Sequence, residues 1–310
     1  MIAVVGSNMV DLITYIHRMP NPGETLEAPD FRMGCGGKGA NQAIAASRNG
    51  SEVLMVTRVG NDAFAANTKA NLAENGISTK YALDTDATSG VAPIFVDESS
   101  QNSILIVQGA NAKLSPEDVA AARADLAKCS LIVMQLEIPL PTVYYTIRLS
   151  KELGIPVLLN PAPAHPDLTL EDIKDCAYFA PNESELALIT GMPVGTLDEV
   201  RAAAGYLRRQ GIRNVIVTLG EHGVLTLTEE KEIFTPPFPV AAVDTTGAGD
   251  AFIGCFANAV DAGLDLETAL KRAAFYAADS VTKRGTQYSY AYANDLELSL
   301  IHISEPTRLR

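Results

Sequence analysis

The sequence predicts an α/β protein built on a doubly wound, mostly parallel sheet with helices on both faces, to which a small β-sheet lid is added. Short apolar runs alternate along the chain with longer segments of helical period, which is the pattern of successive strand–helix units. Polar or glycine-rich turns follow several of these runs, as expected where parallel strands end at a ligand site. Of the 310 residues, 47% are apolar, which is enough to bury the core of such a sheet.

The predicted strands are short apolar runs bounded by turn residues. They cover residues 2–5, 53–58, 131–136, 157–160 and 214–218. The predicted helices have apolar residues at helical spacing, often with a capping residue or a glycine at one end. The first predicted helix is rich in alanine and follows the first group of glycines. The other predicted helices cover residues 61–75, 116–128, 139–153, 200–210, 249–262 and 266–283.

Two blocks, residues 12–33 and 90–107, interrupt this alternation because they read as extended segments without a helical period. We expect them to pair as a separate small sheet that forms a lid or a platform for dimerisation. Residues 1–298 are therefore predicted to be a single α/β domain with this lid. Residues 299–310 have no periodic pattern and resemble translated sequencing-adapter read-through, so they are excluded from the fold as a non-native tail.

Charge and cysteine content exclude several classes of protein. The chain has 24 basic and 37 acidic residues, a formal net charge of −13, and no basic run, which argues against nucleic acid or a membrane surface as a partner. Its start has neither a basic leader nor a long apolar stretch, so we expect a cytoplasmic protein. The four cysteines are widely spaced and predict free thiols in a reducing compartment, not a disulfide framework or a zinc site; they are Cys35, Cys129, Cys176 and Cys255.

The segment 244–250, Asp-Thr-Thr-Gly-Ala-Gly-Asp, opens directly into an apolar helix. Gly247 and Gly249 allow several backbone N–H groups to converge on an anion, and the helix dipole adds to the attraction. Asp250 has two interpretations. It is either an acidic residue that favours the helix N-terminus, or a base that accepts the proton of an attacking hydroxyl during phosphoryl transfer.

A second glycine-rich segment, residues 34–39, precedes the alanine-rich helix. It resembles a Walker A loop in composition, but it lacks the Gly-Lys-Ser/Thr ending, so a P-loop is rejected. Asn41 lies in the first turns of the following helix, where its amide can both donate to and accept from a sugar hydroxyl pair.

Acidic residues also follow predicted strands. Asp11, among apolar neighbours, is either a ligand-facing carboxylate or a turn residue, and Glu137 follows the strand at 131–136. Asn182 and Glu185 have the spacing of a helix capping box. The turn at 219–223 could meet nucleotide phosphates with its N–H groups, and we expect its His222 to be exposed.

The two glycine-rich segments together resemble the two signatures of the ribokinase-like (PfkB) carbohydrate kinase family. The first signature corresponds to residues 36–43 and the second to residues 244–252. The resemblance covers nearly the whole chain, through further segments at 6–11, 135–137, 160–163, 181–185 and 218–220.

This resemblance implies an ATP-dependent sugar kinase in which Asp250 is the catalytic base for the terminal hydroxyl. Gly247, Ala248 and Gly249 would form the anion hole for the transferring phosphoryl group. The residues that would hold the sugar, together with Asp250, are Asp11, Gly37, Lys38, Asn41 and Glu137.

The resemblance also implies how the nucleotide and cations bind. Asn182, Thr218, Gly220, Gly223 and Gly249 would line the ATP site. Glu185 would act near magnesium and the triphosphate, which makes the capping box the lesser interpretation. A monovalent cation, usually potassium, would bind beside the anion hole, at positions that match Asp244, Thr246, Ser280, Lys283, Gly285 and Ser289.

One residue departs from the pattern of ribokinases, which carry Asn two residues before the lid-side Asp, where this chain has Met9. A thioether cannot replace the hydrogen bonds of an amide to a sugar hydroxyl, so the pocket is less polar there. We therefore expect 2-deoxy-D-ribose as the acceptor, in agreement with a closer resemblance to the branch of the family that acts on deoxyribose. D-ribose is the alternative, followed by a nucleoside or another sugar.

The expected partners are a small sugar and ATP, together with a second copy of the chain bound through the lid. A member of a different class, a non-catalytic sugar or nucleotide sensor on the same fold, is disfavoured because Asp250 and the anion-hole glycines are all present. No DNA-binding segment is recognised in the sequence either.

Overall fold

Seven parallel strands form the centre of the protein in a computed structural model that describes residues 1–98 and 102–295. The strands of the described chain, in order, are β1 (Ile2–Val5), β2 (Met9–Tyr15), β3 (Asp30–Gly36), β4 (Val53–Val59), β5 (Ser78–Asp84), β6 (Val91–Val96), β7 (Asn102–Ile104), β8 (Leu131–Met134), β9 (Val157–Leu159), β10 (Tyr178–Phe179), β11 (Val215–Thr218), β12 (Val224–Leu227) and β13 (Glu232–Thr235).

The large sheet has nine strands in the order β13-β12-β11-β10-β9-β8-β1-β4-β5. The seven strands from β11 to β5 in this spatial order are parallel to one another. Strands β12 and β13 add an antiparallel hairpin at one edge. The predicted doubly wound sheet is therefore confirmed. Strands β5, β10, β12 and β13 of this sheet were not predicted, and the predicted strands end within a few residues of the observed ones.

Two helical layers cover the sheet because side chains alternate between its faces. Ile2 and Val4 point into a core shared with the first and last long helices of the chain. Ala3 and Val5 point into a second core on the opposite face. Both faces of β1 are fully buried, which explains its continuous apolar sequence.

The helices of the described chain are α1 (Lys38–Arg48), α2 (Ala63–Glu74), α3 (Pro116–Ala121), α4 (Arg123–Leu126), α5 (Leu140–Leu153), α6 (Leu170–Ile173), α7 (Glu183–Thr190), α8 (Leu197–Arg209), α9 (Ala248–Asp261) and α10 (Leu266–Ser280). Short 3₁₀ turns occur at Gly109–Lys113, Gly220–His222 and Gln287–Ser289. Among these described helices, none is long and apolar enough to span a membrane.

Two helix predictions were wrong in detail. The single helix predicted at 116–128 is divided into α3 and α4 at Ala122, whose ψ of −3° interrupts the regular helix. The helix predicted to reach Lys283 ends at Ser280, because the chain then turns toward Asp244. Two N–H groups, of Val243 and Asp244, donate to the Val281 carbonyl at 2.7 and 3.1 Å, and this contact replaces the last helical turn.

The predicted lid is a four-stranded sheet of order β3-β2-β6-β7. It begins at Met9 and reaches Gly36, so it extends further toward the large sheet than the predicted blocks 12–33 and 90–107. Only three residues separate the end of β1 from the start of β2. The lid thus continues directly from the carboxyl end of the central strand. The predicted tail at 299–310 lies outside the described residues.

The strand order reverses at β1. From β1 the chain proceeds to β4 and β5 on one side, and then to β8 and β9 on the other. In open α/β sheets such a reversal leaves a crevice at the carboxyl ends of the two adjacent strands, where ligands bind. This crevice lies between β1 and β8, with the lid strand β2 above it.

Candidate active site

A buried carboxylate closes the bottom of the crevice. Glu137, just beyond β8, accepts a hydrogen bond from the Ser7 hydroxyl at 2.5 Å and another from the Lys38 backbone N–H at 2.9 Å. Ser7 in turn accepts from the Gly39 N–H at 3.2 Å. Burial raises the pKa of Glu137, although the Lys38 charge and these hydrogen bonds oppose the rise. The contacts join β1, β8 and the start of α1 at one point.

The N-terminal turns of α1 and α9 meet at Asp250. The Asn41 amide donates to Oδ2 of Asp250 at 2.9 Å, and the Gln42 amide donates to Oδ1, also at 2.9 Å. Asp250 is buried, and its two oxygens are both engaged by neutral donors. The structure therefore brings the two glycine-rich segments of the sequence together around one carboxylate.

The glycines before α9 differ in their surroundings. Gly247 has a φ of 79°, which favours glycine, and an added Cβ would lie 2.3 Å from a methyl carbon of Thr286. Gly249 has open space where a Cβ would be. With Ala248, these residues begin the helix, whose first N–H groups have no acceptor within it. The Ala248 N–H donates to the Thr245 carbonyl at 3.3 Å, so the open space of the predicted anion hole lies beside Gly249.

Lys38 is the cation nearest these acids. The charge of Asp250 above all, followed by those of Glu137 and Glu185, raises the pKa of the Lys38 ammonium, against the effect of burial. Glu185, on α7, is therefore close enough to the predicted sugar-binding residues for its charge to act on Lys38.

Asp11 belongs to the lid but faces the crevice. Burial, followed by the charges of Glu137 and Asp250, raises the pKa of Asp11 to about 7. The carboxylate packs so closely on Gly36 that an added Cβ would lie 2.3 Å from its Oδ1. Gly37, with a φ of 87°, would similarly place a Cβ 2.7 Å from the backbone nitrogen of Met9.

Met9 is 2% exposed and belongs to an apolar cluster on the lid. Its buried neighbours are Ala92 and Ile94, with Ile13 and Val96 packed against them. The side chain two positions before Asp11 therefore lies among hydrocarbon groups.

Four of the five residues predicted to line the ATP site lie on two adjoining segments; they are Asn182, Thr218, Gly220 and Gly223. Asn182 and Glu185 form the capping box of α7, in which the Asn182 side chain accepts from the Glu185 N–H and the Glu185 carboxylate accepts from the Asn182 N–H, both at 2.8 Å. Asn182 also pairs with Thr218 through a β-bridge. Thr218 leads into the turn of Gly220 and Gly223, which both have positive φ angles.

His222 in this turn is exposed, as predicted. The four cysteines are free, also as predicted, and three of them are buried.

The residues predicted to bind a monovalent cation lie on two adjoining segments. Asp244 accepts from the N–H groups of Thr246 and Gly285 at 2.9 Å each. Burial alone would raise the pKa of Asp244, but these hydrogen bonds outweigh it and lower the pKa. The Lys283 ammonium pairs with Asp279 at 2.7 Å. Because an ammonium has no lone pair, only the backbone carbonyl of Lys283 could bind a cation.

The hydroxyls of Ser280 and Ser289 both donate to nearby carbonyls, at 2.8 and 2.7 Å. Their oxygens keep lone pairs that could face a cation.

Four buried amides at the site were not assigned a role from the sequence. Gln42, Gln135, Asn160 and Gln287 connect the network around Asp250. A signal existed for two of them, because Gln135 and Asn160 are polar residues directly after apolar strands. Gln287 gives no such signal, since its contact with Asn41 joins residues at opposite ends of the chain.

The sequence profile of the "pfkB family carbohydrate kinase" matches residues 1–292. A deoxyribokinase from Salmonella typhi is 58% identical over 290 residues, which make up 93% of this chain and 95% of that protein. A ribokinase from Mus musculus is 40% identical over 304 residues, which make up 96% of this chain and 94% of that protein.

Solved structures of similar proteins have the same fold. The crystal structure of a ribokinase from Thermotoga maritima matches with a TM-score of 0.88 and 34% identity, covering 97% of this chain and 99% of that chain. A ribokinase from Arabidopsis thaliana, complexed with ribose and ATP, matches with a TM-score of 0.88 and 31% identity, covering 96% of this chain and 98% of that chain.

Proposed function

Because the chain belongs to the pfkB family of carbohydrate kinases, we propose that it transfers the γ-phosphoryl group of ATP to the 5-hydroxyl of 2-deoxy-D-ribose. Membership makes it a phosphotransferase with an alcohol group as acceptor. The proposed products are 2-deoxy-D-ribose 5-phosphate and ADP. Ribose is the second candidate, supported by the similarity to ribokinases.

The observation that carries the choice of sugar is the burial of Met9 in an apolar cluster beside Asp11. A sugar hydroxyl held against this side chain would lose its hydrogen bonds to water without gaining a partner, which costs about 1–3 kcal/mol. Deoxyribose lacks one hydroxyl and avoids this cost. The 58% identity to a deoxyribokinase supports the same choice.

Asp250 is proposed as the catalytic base. It accepts the proton of the 5-hydroxyl while the oxygen attacks the γ-phosphorus, so that a new O–P bond forms as the bond to the β-phosphate oxygen breaks and ADP leaves with that electron pair. Gly247, Ala248 and Gly249 supply the N–H groups that stabilise the charge on the transferring group.

The sugar is proposed to lie between the lid and the sheet edge. Asp11 and Glu137 accept from its hydroxyls, Asn41 donates and accepts, and Gly37 allows close approach of the backbone. Lys38 offsets the negative charge of the three acids that surround the site.

Thr218, Gly220 and Gly223 are proposed to line the ATP site with Asn182 and Gly249. No cluster of three His, Cys, Asp or Glu side chains that could cage a metal occurs in the described part of the chain. Mg²⁺ in phosphoryl-transfer sites is usually held by one or two carboxylates together with phosphate oxygens and waters, and the Glu185 carboxylate fits that need. Glu185 would help hold it, and Mg²⁺ would neutralise charge on the phosphates.

A potassium ion is proposed beside the anion hole. The candidate ligands offer only oxygen atoms, from the Asp244 carboxylate, the Ser280 and Ser289 hydroxyls and backbone carbonyls, as a hard monovalent cation prefers. The residues that would hold it are Asp244, Thr246, Ser280, Lys283, Gly285 and Ser289. When bound, it would add positive charge near the N-terminus of α9.

We also propose a homodimer formed through the lid. Its edge strands β3 and β7 carry exposed apolar side chains, among them Phe31, Met33 and Ile104. An exposed apolar sheet edge favours pairing with an identical surface of a second copy.

A cytoplasmic location is proposed as well, because the free cysteines suit a reducing compartment and ATP is the co-substrate.

The direct test of the catalytic assignment is the Asp250→Ala variant. We expect it to bind sugar and ATP in calorimetry but to lose turnover by about 100-fold or more, since general-base catalysis contributes about 10²–10⁴-fold. Retention of ADP formation near the wild-type rate would contradict the assignment of Asp250 as the base.

A further inference from the structure

We propose that Gln42 is a positioning residue that fixes the orientation of Asp250 through a chain of buried amides. The proposal rests on the proposed role of Asp250 as the base. Gln42 donates to Oδ1 of Asp250 at 2.9 Å and is only 1% exposed, so it lies behind the carboxylate and out of reach of a substrate.

The chain of amides begins at a backbone carbonyl, which can accept hydrogen bonds but cannot donate them. The backbone carbonyl of Ala180 can only accept, and it takes a hydrogen bond from Nδ2 of Asn160 at 2.8 Å. This contact turns Oδ1 of Asn160 toward Gln42. Since that oxygen also can only accept, Gln42 must present its NH₂ group, at 3.1 Å.

The orientation of the Gln42 amide then follows in full. One N–H group of Nε2 donates to Asn160 and the other donates to Asp250, while Oε1 accepts from Nε2 of Gln135 at 2.5 Å. Gln135 is fully buried, and an added Cβ on Gly6 would lie 2.3 Å from its Oε1. Gln42, Gln135, Asn160 and Asp250 are all buried, and Oε1 of Gln135 has no hydrogen-bond partner among the described residues.

Such an arrangement has a consequence for catalysis. A base in phosphoryl transfer must point one oxygen at the attacking hydroxyl, and a small misplacement is costly in rate. Asn41 also donates to Asp250, but Asn41 is shared with the proposed sugar site. Gln42 lies outside the proposed sugar site, so its hydrogen bond can orient the Asp250 carboxylate independently of the sugar.

The test compares Gln42→Met, Gln42→Glu and Gln135→Met with the wild type in a steady-state assay of ADP release across pH. For Gln42→Met we expect kcat to fall by about tenfold or more, the scale of a lost hydrogen bond to a charged group, with the sugar KM changed less than about threefold. Gln135→Met should show a smaller loss of the same kind.

Gln42→Glu tests the same contact by placing a second carboxylate against Asp250. A carboxylate beside Asp250 shares a proton with it, so the acidic limb of the kcat/KM profile should move to higher pH by about one unit or more. The other groups that face Asp250 are the same in both proteins and cancel in the comparison; they are Asp11, Lys38, Glu137, Glu185 and Tyr290.

Asn258→Leu is the matched control. Asn258 also carries a buried amide, but it lies on α9, donates to Ser51 and is remote from this network. It should lose thermal stability without loss of kcat. Wild-type kcat in Gln42→Met with an unshifted profile in Gln42→Glu would overturn the proposal, as would an equal kcat loss in the control.

If Gln42→Met does not fold, the pH profile of Gln42→Glu and the kcat of Gln135→Met test the proposal instead. An unshifted profile together with wild-type kcat in Gln135→Met would then overturn it. An active Asp250→Ala variant would instead remove the proposed function itself, so the two failures are distinguishable.

Discussion

Three carboxylates face one ammonium group in the crevice, and this imbalance determines the properties of the site. The charges of Glu137 and Asp250 act on Asp11, and Lys38 is the cation that interacts with Glu137 and Asp250. Burial keeps them from water, and because the pKa of Asp11 is raised to about 7, its protonation depends on pH near neutrality.

A pH-dependent stability follows from Asp11. Its pKa is about 7 in the folded protein and 3.8 as its ordinary value, so between these values the folded protein holds a proton that the unfolded chain releases. Stability is therefore lost as pH rises through this window, and Asp11→Asn removes the loss. We expect the Tm of the unliganded variant, relative to wild type, to increase from about pH 4 to about pH 8.

The shifts of Glu137 and Glu185 are present in both proteins and largely cancel in this difference. A Tm difference that stays constant across the range would show that Asp11 is ionised at its ordinary pKa.

The site residues that could be predicted from the sequence are those that lie in a recognisable motif. The motif residues Asp11, Asn41 and Asp250 lie together as expected. The amides behind them escaped prediction because their partners are distant in sequence: Gln42 and Gln135 are separated by 93 positions. Only the crossing of α1 over the sheet shows that these two side chains meet.

At the scale of elements, the contact between α1 and α9 determines the geometry of the site. Both helices carry site residues in their first turns, and further along they pack closely because Gly254 has no side chain. A Cβ there would lie 2.5 Å from Cβ of Ala45 and 2.5 Å from the carbonyl oxygen of Gln42. The separation of the helices therefore fixes the distance from Gln42 to Asp250.

Gly254→Ala should push the two helices apart. We expect a stability loss of about 1–3 kcal/mol from overpacking. A reduced kcat should accompany it, because the amides move away from Asp250. Circular dichroism melts and steady-state kinetics measure both.

Gly205→Ala on α8 is the control, since its nearest neighbour is the flexible end of Arg209 at 3.4 Å. It should be stabilised by about 0.5–1 kcal/mol, with unchanged kcat. A Gly254→Ala protein as stable and active as wild type would contradict the role of this contact.

Elements that the sequence pattern missed have local explanations. The hairpin of β12 and β13 has strands of only four residues and directly follows a glycine turn. That turn was interpreted as a phosphate-binding loop, so the short run Val-Leu-Thr-Leu after it was not recognised as a strand. Strand β5 contains exposed and polar residues because it is an edge strand. Periodicity identifies buried strands more readily than edge strands.

At the scale of the whole molecule, the lid is where the exposed apolar surface concentrates. Phe31 on β3 is 57% exposed and Leu105 beyond β7 is 63% exposed. Because β2 of the same sheet carries Asp11, an interface there would also hold a sugar-facing carboxylate in place. The proposed dimer and the sugar site are thus linked through one sheet.

Charges on this surface should separate the copies. We expect the double variant Met33→Lys/Leu105→Lys to sediment as a monomer and to show a higher sugar KM, because the lid loses its support. Leu188→Lys, at another exposed apolar residue on α7, is the control and should remain dimeric. A wild-type protein that sediments as a monomer at micromolar concentration would contradict the dimer.

ADP release with Mg²⁺–ATP, with and without potassium, tests the choice of sugar when 2-deoxy-D-ribose and D-ribose are compared by kcat/KM. Met9 predicts a preference for deoxyribose of about 5- to 150-fold, the equivalent of one unpaired buried hydroxyl. Met9→Asn should reduce this preference, whereas Met9→Leu should keep it. A wild-type preference for ribose would contradict the account of Met9, while leaving the kinase chemistry of the family intact.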